Sequence, residues 1–159
     1  MKRNLARTTL GILFFAALVS LAPAAQANVC TMSDVAGKWE YTYTLTIIFT
    51  TDAIPAAAVG RFALDAMGNI SGTQTRNVGG SVGGETIKGT GTVNADCTAT
   101  YRVDVYDGAG NLLRTAVLAG VFVDNATELR AMFASLVLPN GASLPTVITV
   151  NAKKLHPED

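Results

Sequence analysis

Trp39-Glu40-Tyr41-Thr42-Tyr43-Thr44-Leu45-Thr46-Ile47-Ile48-Phe49-Thr50 is the stretch that decides the fold. Trp39, Tyr41, Tyr43, Leu45, Ile47 and Phe49 stand two residues apart, with Glu40, Thr42, Thr44, Thr46, Ile48 and Thr50 between them. Side chains alternate across a strand with period two, so the segment reads as one long strand with a large apolar face. A helix would scatter those side chains around its circumference.

The rest of the chain is rich in Thr, Val, Gly and Tyr, with Gly, Asn and Asp as punctuation, a β-composition with turn signals at short intervals. No helix of any length is expected. Ala53 to Val59 is Ala-rich but hemmed by Pro55 and Gly60, and allows at most one helical turn. Further strands are expected near 60–65, 70–77 and 85–93, with Val78 to Gly84 as a Gly-rich turn between the last two. Asp107-Gly108-Ala109-Gly110-Asn111 is a strong turn signal. Taken as a five-residue loop, it sets Tyr106 against Leu112 and Asp104 against Arg114. The opposite face then carries Tyr101, Val103 and Val105 against Val117, Thr115 and Leu113. A five-residue loop from Asp124 to Glu128 sets Val123 against Leu129 and Ala119 against Phe133. A four-residue loop sets Val123 against Glu128 and Val121 against Arg130, and is disfavoured because a one-residue slip swaps the faces. Pro139-Asn140-Gly141 ends the seventh strand, and the eighth runs near 146–154.

Eight strands joined by short turns imply sequential antiparallel pairing. Closing them into an eight-stranded antiparallel up-and-down barrel removes the two exposed edges of an open sheet. The alternative is a two-sheet β-sandwich.

The N-terminus reads as an export signal. Lys2, Arg3 and Arg7 precede an apolar run of 13 residues from Leu10 to Ala22, and Ala25-Gln26-Ala27 is a small-x-small cleavage site. A membrane anchor needs roughly 20 apolar residues. Val29 before Cys30 argues against a lipidated cysteine. The expected division is a signal peptide over 1–27 and one barrel domain over 28–159, with a secreted or periplasmic location. Residues 28–159 hold 9 basic and 12 acidic side chains, so no basic face for nucleic acid or anionic membranes is indicated. Cys30 and Cys97 are the only cysteines and are expected to form a disulfide.

Gly37-Lys38-Trp39, opening the first long strand, resembles the start of lipocalins and related calycin barrels. That resemblance implies a tryptophan plugging one barrel end under a basic side chain, for which Lys153 or Lys154 would serve through a cation–π contact. The chain departs from lipocalins in ending soon after its last strand. The compact eight-strand plan also resembles allene-oxide-cyclase and dirigent barrels. Thr90 to Thr100 (TGTVNADCTAT) looks like a pattern of small secreted bacterial proteins without assigned chemistry.

No catalytic constellation is visible. His156 is the only histidine and sits in the tail, so neither a histidine metal cluster nor a well-placed triad can be built. Asp65, Asp96, Asp107 and Asp124 stand at turns, where they bond local backbone. Glu40 and Glu85 are the least turn-like acids, and Glu85 is the candidate acid or base. No cofactor is expected.

The leading expectation is a barrel binding a small hydrophobic molecule, lined by Trp39, Tyr41, Tyr43, Leu45, Tyr101, Val103, Val105, Leu113 and Val117. One alternative is a cyclase or isomerase of the allene-oxide-cyclase-barrel type, acting by shaping a reactive ligand. The other is a filled, self-associating barrel, with Leu112, Leu118, Leu136 and Leu138 as an apolar outer face and a homo-oligomer as its form.

Overall fold

The computed structural model describes residues 30–48 and 52–155. A one-turn helix, α1 (Met32–Val35), precedes β1 (Gly37–Ile48), β2 (Ala53–Leu64), β3 (Asn69–Val78), β4 (Ser81–Val93), β5 (Thr98–Tyr106), β6 (Leu112–Val123), β7 (Glu128–Val137) and β8 (Thr146–Leu155). Each strand pairs antiparallel with the next, and β8 pairs with β1, so the sheet closes into a barrel. Trp39 lies opposite Phe62 on one side and Lys154 on the other. The expected signal peptide, Phe49 and the tail with His156 lie outside the described residues.

The period-two reading of β1 holds: Trp39, Tyr41, Tyr43 and Leu45 are buried, and Glu40, Thr42 and Thr44 are exposed. The disulfide joins Cys30 to Cys97. The interior is largely apolar and aromatic, with Gln74, Glu85 and Arg114 buried in it, while the outside carries Glu40, Arg61, Arg102, Arg130 and Lys153. That is the reverse of a membrane-spanning barrel, whose outer band is apolar. No helix among the described residues is long and apolar enough to cross a membrane.

Five expectations are corrected. Ala53 to Val59 is strand, not a helical turn. Pairing with β1 on one side and β3 on the other overrides the helix preference of Ala. The Gly-rich turn before Glu85 shrinks to Gly79-Gly80, with strand on both sides. Between β5 and β6, Tyr106 does face Leu112, but Val105 faces Arg114 and Asp104 faces Thr115. Leu113 is the extra residue of a β-bulge, which turns the rest of β6 over. The inward side chains of β6 are therefore Arg114, Ala116, Leu118 and Phe122; Leu113 and Val117 are half-buried on the outside. With β6 turned over, the disfavoured four-residue loop is the correct one. Val123 faces Glu128 and Val121 faces Arg130, so Phe122 meets Leu129 inside. Asp124, Asn125 and Ala126 all take positive φ in this turn (52°, 53° and 62°). The outer leucine face does not exist: Leu118 is buried with the rest of β6, Leu136 is buried beyond a second register shift where Val117 faces Ser135 and Leu118 faces Phe133, and Leu112 remains exposed.

The two barrel ends differ. At the α1 end, the disulfide and the helix cover the cylinder. Thr31 and Asp34 form a reciprocal capping box, and Val35 is fully buried. At the other end, β7 and β8 pair only over Glu128–Met132 against Thr149–Lys153. Beyond that they separate. The chain between them folds back on β7, with Val137 bridging Ser143 and the Leu144 N–H donating to the Leu136 carbonyl at 2.9 Å.

Candidate functional site

Trp39 is a plug. It is completely buried, its ring stacks on Phe62 at 6.1 Å and tilts against Phe122 at 5.6 Å, and its Nε1–H donates to the Val35 carbonyl at 3.0 Å. Lys154 does not lie over the indole as the resemblance implied. Its Nζ donates to the Asp34 carbonyl at 2.7 Å, placing a cation at the end of α1. Gly37 must be glycine for this: its φ is +145°, and a Cβ there would sit 2.8 Å from Lys154 Cε.

Further along the axis the inward side chains become polar. Glu85 on β4 is held from several directions. Arg114 Nη1 donates to its Oε1 at 2.9 Å and Arg114 Nη2 to its Oε2 at 2.5 Å. Arg76 Nε donates to Oε1 at 2.9 Å and Gln74 Nε2 to Oε2 at 2.5 Å. The amide oxygen of Gln74 accepts from the Tyr41 hydroxyl at 2.7 Å, and its nitrogen also donates to Tyr43 Oη at 3.2 Å. Register explains the meeting of these residues. Gln74 faces Glu85 directly across β3–β4, and the Leu113 bulge points Arg114 inward.

Burial alone would raise the Glu85 pKa, but the Arg114 hydrogen bonds and charge, with Gln74 and Arg76, outweigh it and hold the carboxyl at about 2. Burial pushes the Tyr41, Tyr43 and Tyr101 phenols up, so all three are neutral at pH 7. Arg114 is likewise buried, yet its bonds to Glu85 raise its pKa. A fully bonded carboxylate of such low basicity is a poor general acid or base near neutrality. Glu85 therefore organises the interior.

Against this cluster lies a cavity of about 70 Å³. Its walls are Ile70, Ile87, Val103, Val105 and Val150, with Tyr43, Gln74 and Arg114 at the polar side. Tyr101 also lines it. The Tyr101 ring lies flat over Gly91, where a Cβ would be 2.3 Å from ring carbon Cδ1. Its hydroxyl is buried and, among the described residues, has no hydrogen-bond partner. Of the lining expected from sequence, Tyr41, Tyr43, Tyr101, Val103 and Val105 face this cavity. Trp39 and Leu45 are buried outside it, and Leu113 and Val117 lie on the far side of the sheet. Sequence reasoning missed Gln74, Arg76 and Arg114. The alternation Ile70, Gln74, Arg76 along β3 was a usable signal for two of them; the bulge hid the third.

No known protein family matches the chain, and no curated protein does. Among solved structures, the barrel is similar to part of the vaccine antigen transferrin binding protein B (TbpB) from Haemophilus parasuis, in a mutant form. The TM-score is 0.50 at 14% identity, over 82% of this chain and 29% of that one. The chain thus corresponds to less than a third of that protein, and the likeness is one of fold. A second similar structure, Rv2717c from M. tuberculosis, has a TM-score of 0.37 at 15% identity, over 86% of this chain and 100% of that one. The class established is a closed eight-stranded antiparallel barrel with a disulfide-pinned end.

Proposed function

We propose that this chain is an exported barrel that holds one compact, mostly apolar molecule bearing a single hydrogen-bonding oxygen. The observation that carries the reading is Tyr101, which lines a largely apolar cavity and whose buried hydroxyl has no hydrogen-bond partner among the described residues. An unsatisfied buried hydroxyl costs about 1–3 kcal/mol, which a bound oxygen would recover. Size limits the ligand sharply. The cavity of about 70 Å³ is far below the ~300 Å³ of ordinary ligand sites and below the ~150 Å³ that admits benzene. Lipids and lipocalin-sized ligands are too large, whereas a short alcohol or ketone fits. The disulfide supports an extracytoplasmic location.

The test is a thermal-shift panel of short alcohols and ketones on the native chain and on Tyr101→Phe. A stabilisation seen only in the native chain supports the reading. No stabilisation by any member, with a crystal structure showing only water on Tyr101, ends it.

A second reading is a filled barrel working through its outer surface. It is favoured by the small interior void and by the likeness to TbpB, a protein named for binding transferrin. The cyclase or isomerase alternative has less in its favour, because Glu85, the one buried carboxylate among the described residues, has no free lone pair to act with.

A further inference from the structure

The strand register writes a charge pattern on the outside of the barrel that composition does not show. Across β7, β8, β1 and β2, Glu128 faces Lys153, Lys153 faces Glu40, and Glu40 faces Arg61. This row alternates in sign and is neutral overall. The next three rows towards the far end hold Asn151, Thr42 and Val59, then Met132, Thr149, Thr44 and Ala57, then Val147, Thr46 and Pro55. Arg130 is their single charge. Val59, Met132 and Val147 are well exposed there. A shallow groove of about 360 Å³ runs over the face, bordered by Glu40, Glu128, Arg130, Asn151 and Lys153.

Alternating charges support a sheet through cross-strand pairs. Here that account is incomplete. Among the described residues Glu40, Arg61 and Lys153 make no ion pair with one another, and only Glu128 has a partner, Arg130, at 3.8 Å. Three charges of the row are thus available to another molecule.

We propose that this face docks a second copy of the chain, with a two-fold axis parallel to the strands between β8 and β1. Such an axis keeps each row level and reverses its column order, as an isologous interface requires. Lys153 then meets Glu40 of the second copy, and Glu40 meets its Lys153. The sheet is a closed barrel, so β7 and β2 curve away from this axis and the contact runs along β8 and β1, where Asn151, Thr149 and Val147 meet Thr42, Thr44 and Thr46 of the second copy. An axis perpendicular to the strands would instead set the charged row against threonines and alanines. The pattern therefore selects both the partner and the orientation, with the contacting strands of the two barrels lying along one direction. Complementary charge fixes register, while burial of Val147 and the threonine methyl groups of β1 supplies attraction. This inference is independent of whether the cavity takes a ligand.

The test is sedimentation equilibrium of the exported chain at up to about 100 µM, a range that detects weak association. A dimer is expected, weakened at about 0.5 M salt. Glu40→Lys and Lys153→Glu each place like charges at both central contacts, and each should weaken the dimer by about tenfold or more. An equimolar mixture of the two variants restores opposite charges at the centre and should dimerise again. A monomer throughout the range overturns the proposal. So does dimerisation of each variant as strong as the native chain's, or a mixture that stays monomeric while circular dichroism shows both variants folded.

Discussion

Replacing Glu85 by Gln tests the organisation of the interior most directly. The carboxylate accepts two bonds from Arg114, one from Arg76 and one from Gln74, and both it and Arg114 are buried. Gln is nearly the same size, so packing is little disturbed. It offers one acceptor oxygen where Glu offers two, and its NH2 must face a guanidinium or amide donor. Arg76 is one-quarter exposed and can turn to water, but Arg114 cannot. The variant therefore leaves a buried cation without its counter-charge, at a cost of about 3–5 kcal/mol. Against a typical total of about 5–15 kcal/mol this is a large fraction. Urea denaturation followed by Trp39 fluorescence should show the midpoint falling with an unchanged slope. The double change Glu85→Leu with Arg114→Met should recover most of the loss, since apolar replacement of a buried pair is often neutral or better. A Glu85→Gln cost below about 1 kcal/mol would show that water reaches the cluster and that the reasoning from burial is wrong.

Acid should act on the same group. Its folded pKa of about 2 lies below its ordinary value of 4.5, so its contribution is complete above pH 4.5 and is lost as pH falls towards 2. Denaturant titrations at steps across that window should show the fall, and Glu85→Leu/Arg114→Met should lack this component. Gly91→Ala places a methyl group 2.3 Å from a Tyr101 ring carbon and should destabilise by about 1–3 kcal/mol, with Tyr101→Ala relieving the clash in the double variant. Reducing the Cys30–Cys97 bond, which spans 67 residues, should lower stability by about 4 kcal/mol in the chain-entropy account; an unchanged melting temperature in reductant would contradict it.

The barrel was legible because β1 wears its period openly and because turns rich in Gly, Asn and Asp separate the later strands. Tyr41, Tyr43 and Tyr101 point inward as their alternation requires. The misreading of β6 and of the turn after it follows from one residue. Nothing in Leu112-Leu113-Arg114 marks Leu113 as the bulge, since both leucines satisfy an apolar or an outer position equally well. Once β6 is read on the wrong face, Arg114 becomes a surface partner for Asp104 and Leu113 becomes lining. The four-residue turn at Asp124 is then rejected for a reason that the bulge removes. Glu85 drew notice as an acid that no turn explained. Its role depends on Arg114 and Gln74, which register alone brings to it.

The seam between β7 and β8 has a consequence for how anything reaches the centre of the molecule. It is the cylinder's weakest suture, held along only half its length, with the fold-back through Ser143 and Leu144 tucked into the remainder like a loose flap. Parting it breaks fewer ladder bonds than parting any other junction, so local opening should begin there. Phe133 and Val150, on the two sides of that suture, are also cavity walls. Exchange of interior water, or of a guest molecule, would then proceed sideways through the wall, leaving the Trp39 end sealed.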